Sequence, residues 1–227
     1  MKNRQVRVLS AIIVAVVFLL GTSTAILLNS DFGKLAVKTV VIDDGDKELS
    51  GLLYQPAYAS ADNSVPAIVI AHGISESKDM MSSLGLELSK RGFVVLCVDL
   101  LGHGQSEGTV EDGSNEPSFG VTAAVQYLRF QPFVNSSAIG LIGHSLGGGA
   151  IRAAAAEDGH IDAVVLIAGG LGDVAQGPEY GTLNSTFPKN LLVVVGKYDV
   201  LFNLTELAPK DGGGLVVNDS LALAIKR

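Results

Sequence analysis

The residue best placed for chemistry is Ser145, in Gly143-His144-Ser145-Leu146-Gly147-Gly148. Glycines two before and two after the serine leave the empty space that a strained turn from strand to helix requires. Such a turn lifts the Ser145 hydroxyl out of a sheet, and it aims the first N–H groups of the following helix, beginning with Leu146, at whatever the hydroxyl attacks. The chemistry would be nucleophilic attack by the hydroxyl. The spacing alone is a weak signal in a chain with 27 Gly, where a glycine-rich turn without chemistry reads the same way. Its context is stronger: Ala138 to Ile142 is mostly apolar, and Ala150-Ile151-Arg152-Ala153-Ala154-Ala155-Ala156 is a strong helix former.

The elements that must hold this turn read as alternating strands and helices. Lys34 to Ile42 and Glu48 to Tyr54 are β-rich runs joined by Asp43-Asp44-Gly45-Asp46, which predicts an antiparallel hairpin. Short apolar runs at Ala67 to Ala71, Phe93 to Val98, Ala163 to Ala168 and Leu191 to Val195 have the character of strands covered on both faces. Between them, helical spacing covers Asp79 to Arg91, a helix opening at Pro117 runs to Phe130, and Leu146 to Glu157 follows the serine. A further helix near Leu201 to Leu207 and a strand near Leu215 to Val217 are expected. The pattern predicts an α/β fold, with a mostly parallel sheet and helices on both faces.

Composition narrows the class. The chain has 227 residues, 48% hydrophobic and 17% charged, enough to bury one full core. A formal charge of −7 with no long basic run beyond the N-terminus argues against nucleic acid as a partner. The single cysteine, Cys97, lies in an apolar run and reads as a small buried hydrophobe. No metal-ligand set and no dinucleotide fingerprint is present, so no cofactor is expected.

Residues Val8 to Leu28 carry no charge and follow Lys2, Arg4 and Arg7. A helix of that length spans roughly 30 Å, enough to cross a bilayer, and the flanking cations place the remainder on the outer side. A cleaved signal peptide competes with this reading, because Gly21-Thr22-Ser23-Thr24-Ala25 supplies small residues for cleavage. The expectation is therefore residues 1–28 as a cytoplasmic basic segment and anchor, or as a signal peptide, with residues 29–227 as one domain at the outer membrane face or secreted.

Taken together, His72-Gly73 after one strand, Asp99-Leu100-Leu101-Gly102-His103-Gly104-Gln105-Ser106 after the next, the serine turn, and Gly196-Lys197-Tyr198-Asp199 after a later strand resemble the α/β-hydrolase superfamily. The similarity is to the dienelactone-hydrolase and serine-aminopeptidase-like branch. It implies Ser145 as nucleophile, Asp199 as the triad acid, and the N–H groups of Ile74 and Leu146 as the oxyanion hole. It also implies a serine hydrolase that cleaves an ester, thioester or amide of a small molecule or peptide through an acyl-serine intermediate. The pattern departs in one place. The family carries its general base on a histidine downstream of the acid, and no histidine follows Asp199. His72, His103, His144 and His160 all precede it, so the expectation is a chain lacking its C-terminal portion or a domain that binds without catalysing.

Overall fold

A computed structural model of the chain describes residues 2–168, 190–196, 214–217 and 221–226. The expected acid Asp199 and the helix expected near Leu201 to Leu207 lie outside the described residues. Helix α1 spans Lys2–Asn29. Its stretch Arg4–Leu28 is long and apolar enough to cross a membrane by length and composition, and none of it is buried in the fold. A helix that is apolar on every side, as this one is, has no polar face to turn toward water.

The hairpin forms as Asp-Gly chemistry dictates: β1 (Leu35–Asp44) and β2 (Lys47–Pro56) pair antiparallel from Leu35↔Pro56 to Asp44↔Lys47. At the turn, the Gly45 N–H donates to Asp43 Oδ1 at 3.0 Å. Strands β3 (Val65–Ala71), β4 (Val94–Val98), β5 (Val134–His144), β6 (Ala163–Ile167) and β7 (Asn190–Gly196) are parallel. With β8 (Gly214–Val217) and β9 (Leu221–Lys226), nine strands among the described residues form one sheet, in the order β1-β2-β4-β3-β5-β6-β7-β9-β8. The expected strand near Leu215 to Val217 is β8. Strand β9 pairs antiparallel with both β7 and β8, a pairing the sequence does not announce, because Leu221-Ala222-Leu223-Ala224 suits either a helix or a strand.

The helices differ from the sequence expectation at their ends. The Asp79 to Arg91 helix divides into a 3₁₀ turn (Lys78–Met81) and α2 (Ser82–Lys90). Its closest contact is made by Gly85, where a Cβ would come 2.9 Å from Cys97 Sγ and Tyr54 Cε2; Leu84 and Leu88 pack half-buried on the same side, against Ile70, Val95 and Cys97, while Met80 is exposed. Thr109 and Asp112 form a reciprocal cap that starts α3 (Val110–Asn115), a short helix inside what reads as a polar loop. Helix α4 (Val121–Arg129) begins four residues after Pro117, behind Gly120 at φ 84°. Val121, Val125 and Leu128 form its buried face, as the spacing predicts. Helix α5 (Leu146–Glu157) has the expected bounds. Cys97 is fully buried, and burial pushes its thiol up to about 12.

Candidate active site

The C-terminal ends of β3, β4 and β5 bring three loops together. Ser145 is exposed on the turn between β5 and α5, with φ 50° and ψ −112°. A non-glycine residue in that region costs on the order of 1–3 kcal/mol and is kept only where its surroundings enforce it. Three backbone bonds do so here: Ser145 N–H to Ile167 O at 3.0 Å, Gly147 N–H to His72 O at 3.0 Å, and Gly148 N–H to Ser145 O at 2.9 Å. The flanking glycines are required by contact. A Cβ on Gly143 would overlap the Gly147 carbonyl, and one on Gly147 would sit 2.5 Å from Ala71 O. Gly149, by contrast, has nothing within 4 Å of its Cβ position.

The loop after β3 lies alongside this turn. His72 is fully buried; its Nδ1 meets Gly73 O at 2.7 Å, and its Nε2 accepts the Leu100 N–H at 3.1 Å. That pairing fixes the neutral tautomer with the proton on Nδ1. Burial holds the His72 pKa below its ordinary value, against the opposing pull of Gly73 O and Asp99. Ile74 follows, with its side chain exposed. Among the described residues, the N–H groups of Ile74 and Leu146 meet no acceptor in the fold, whereas those of Gly73, Ser145, Gly147 and Gly148 are all bonded. Two unspent donors therefore stand on the loops that flank the Ser145 hydroxyl.

Two residues without a place in the motif pattern organise these loops. Glu76 Oε2 accepts the Gly73 N–H at 2.8 Å and meets His144 Nδ1 at 3.0 Å, so one carboxylate ties the β3 loop to the residue before the serine. Desolvation works against its ionisation, but bonds from Gly73 and His144 hold its pKa below the usual carboxylate value. Lys78 is buried, with its Nζ 2.6 Å from Asp99 Oδ2 and 2.9 Å from Gln105 Oε1. Asp99 also accepts the backbone N–H groups of Lys78 and Gln105, at 2.7 and 2.9 Å. This ion pair shapes the loop after β4, where a Cβ on Gly104 would overlap the Asp99 carboxylate. A carboxylate three residues past Gly73 was a sequence signal for Glu76. Lys78 gave none, because buried lysines are rare.

His144 points to Glu76, and His103 Nδ1 meets Leu101 O at 2.9 Å. His160 precedes β6, whose Ala163 pairs with Gly140, while Ile167 at its far end pairs with His144. It is therefore at the opposite edge of the sheet from Ser145.

Comparison with known proteins agrees with this architecture. Bis(hydroxyethyl) terephthalate hydrolase from Streptomyces coelicolor is 29% identical over 119 residues, covering 51% of this chain and 36% of its own length. Est1E from Butyrivibrio proteoclasticus, solved with ferulic acid bound, matches with a TM-score of 0.52 and 28% identity over 57% of this chain and 52% of that one. The dienelactone hydrolase-like promiscuous phosphotriesterase P91, from metagenomic libraries, shares the fold with a TM-score of 0.60 and 19% identity over 77% of this chain and 74% of that one. This chain spans about a third of the length of the curated relatives it matches first. Residues 66–207 match the model of the alpha/beta hydrolase fold, and the chain belongs to that family.

Proposed function

We propose that the protein is a serine hydrolase acting on an ester, thioester or amide of a small molecule or peptide. The observation that carries this reading is the strained, exposed Ser145 beside the two unspent N–H groups of Ile74 and Leu146. Ser145 Oγ attacks the acyl carbon, its proton passes to a base, and the carbonyl oxygen becomes an oxyanion that accepts from the two donors. Each such donor is worth about 3 kcal/mol of transition-state stabilisation in enzymes where it has been removed. The C–O, C–S or C–N bond to the leaving group then breaks as that group takes a proton, and water hydrolyses the acyl-serine. Asp199 is the proposed acid that orients the base. Esterase and hydrolase relatives support the reaction class.

A specific observation favours a second reading, a domain that binds without turnover. His72 has both ring nitrogens engaged, His103 is buried with its Nδ1 on Leu101 O and its Nε2 meeting no partner among the described residues, Ser145 included, His144 is held by Glu76, and His160 is at the far edge. None is set to take the Ser145 proton. Labelling with an active-site fluorophosphonate separates the two readings. The hydrolase reading expects a covalent adduct on the chain, or on a longer product of the same gene, that Ser145→Ala abolishes. Absence of the adduct in every form favours the binding domain. For location, α1 is proposed as a single-pass anchor with the domain on the outer side, and a signal sequence is its competitor.

A further inference from the structure

The chain enters the domain at one particular edge. Leu35 pairs with Pro56, and β2 runs antiparallel to β4 with Tyr54↔Val95 and Gly51↔Val98, so the start of β1 lies level with the N-terminal ends of the parallel strands. Ser145, Ile74 and the Asp99 loop lie at the C-terminal ends. Strand β1, of ten residues, runs from the entry edge to the hairpin tip, about 30 Å at 3.3 Å per residue.

Little slack separates α1 from that edge. Ser30 to Lys34 are the only residues between α1 and β1, and they fold back on the helix end. Phe32 N–H donates to Leu27 O at 2.7 Å, and both Gly33 and Leu35 N–H donate to Ser30 O at 3.0 Å. The Ala57 N–H then donates to Lys34 O at 2.8 Å, fastening the turn to the sheet.

Three exposed aromatic side chains occupy this same edge. Phe32 is 68% exposed in the entry turn, Tyr58 57% in the loop leaving β2, and Phe130 83% at the end of α4, just before β5. Aromatic rings favour the headgroup level of a bilayer. Of the charges nearby, Lys34 pairs with Asp31, Lys90 and Arg91 with Glu87, and Arg129 with Asp158, so each of these cations is neutralised, while Asp62, Glu157 and Asp162 add carboxylates without a cation partner among the described residues. The opposite edge carries Asp43, Asp44, Asp46, Glu107, Glu111 and Asp112 around Lys47, an acidic face that anionic lipid repels.

We infer that the domain rests with its N-terminal strand edge on the lipid headgroups, with Phe32, Tyr58 and Phe130 in the interface and Ser145 facing away from the bilayer. The inference rests on the readings of α1 as an anchor and of Ser145 as the reactive group. Its consequence is a substrate class: acyl compounds that arrive from the aqueous side, rather than lipids of the anchoring membrane.

The test places one fluorophore per molecule on the full chain in vesicles of phosphatidylethanolamine and phosphatidylglycerol that carry a headgroup nitroxide. Buried Cys97 stays unlabelled, so Tyr58→Cys, Phe130→Cys, Asp46→Cys and Ser75→Cys each report one position. Quenching at 58 and 130 is expected to be at least fivefold stronger than at 46 and 75. Equal or reversed quenching in a chain that floats with the vesicles overturns the orientation alone. A chain that does not float with them overturns the anchor reading and the orientation with it. Failure of fluorophosphonate labelling removes the hydrolase reading and the substrate class while leaving the quenching pattern intact.

Discussion

At the residue scale, the glycines around Ser145 are not interchangeable. Gly143 and Gly147 are needed because backbone oxygens occupy the space a methyl group would fill. Gly149 sits in α5 with open space around it, where glycine only adds disorder to the unfolded chain. Gly149→Ala is therefore expected to stabilise the domain by roughly 0.5–1 kcal/mol. Gly147→Ala should cost more than about 2 kcal/mol, because the β5–α5 turn must open. Urea melts of the two variants check the pair, and a loss of stability in both would contradict the steric account. His72 belongs to the same scale: it is a histidine whose role is to stay neutral and fix the backbone of two loops.

At the element scale, the Lys78–Asp99 pair joins the 3₁₀ turn to the loop after β4. Removing one member of a buried pair leaves the other charge uncompensated, which costs about 3–5 kcal/mol. Lys78→Met is expected to destabilise by that amount. Adding Asp99→Asn should recover part of the loss, since an amide carries no charge to strand. Thermal melts of the single and double variants measure the coupling, and additive losses would show that the two residues act independently. The sequence displays Asp99 through its Gly-His-Gly loop, whereas Lys78 looks like any surface cation between Ser77 and Asp79. Only burial against the β4 loop turns it into a structural charge.

At the scale of the whole molecule, α1 stands clear of the α/β domain. The span Arg4–Leu28 buries nothing in the fold, so it contributes no packing to the sheet. Deleting residues 1–29 is expected to yield a water-soluble domain whose melting temperature stays within about 2 °C of the full chain in detergent. Calorimetry of both forms tests this, and a drop of 10 °C would show packing between helix and domain. In the proposed orientation, the short turn that joins the helix to β1 sets which edge of the domain meets the bilayer.

The order of strands and helices, the serine turn, the loop at His72 and the apolar N-terminal helix were legible from sequence alone. Each is encoded locally, in the period of apolar residues, in glycine spacing, or in an uninterrupted apolar run. The late start of α4 and the antiparallel pairing of β9 were not, because a left-handed glycine set against Leu49 and a strand partner are settled by neighbours distant in the chain; the cap of α3, Thr109 with Asp112, is local but lies inside what reads as a polar loop. The same holds for the candidate site. Ser145 could be named from its flanking residues, but the Glu76 bridge to His144, the Lys78–Asp99 pair and the free N–H groups of Ile74 and Leu146 exist only once β3, β4 and β5 lie side by side. Sequence singled out Ser145 as the proposed nucleophile; the tertiary fold decided what surrounds it and at which edge of the sheet it lies, since both depend on contacts between segments tens of residues apart.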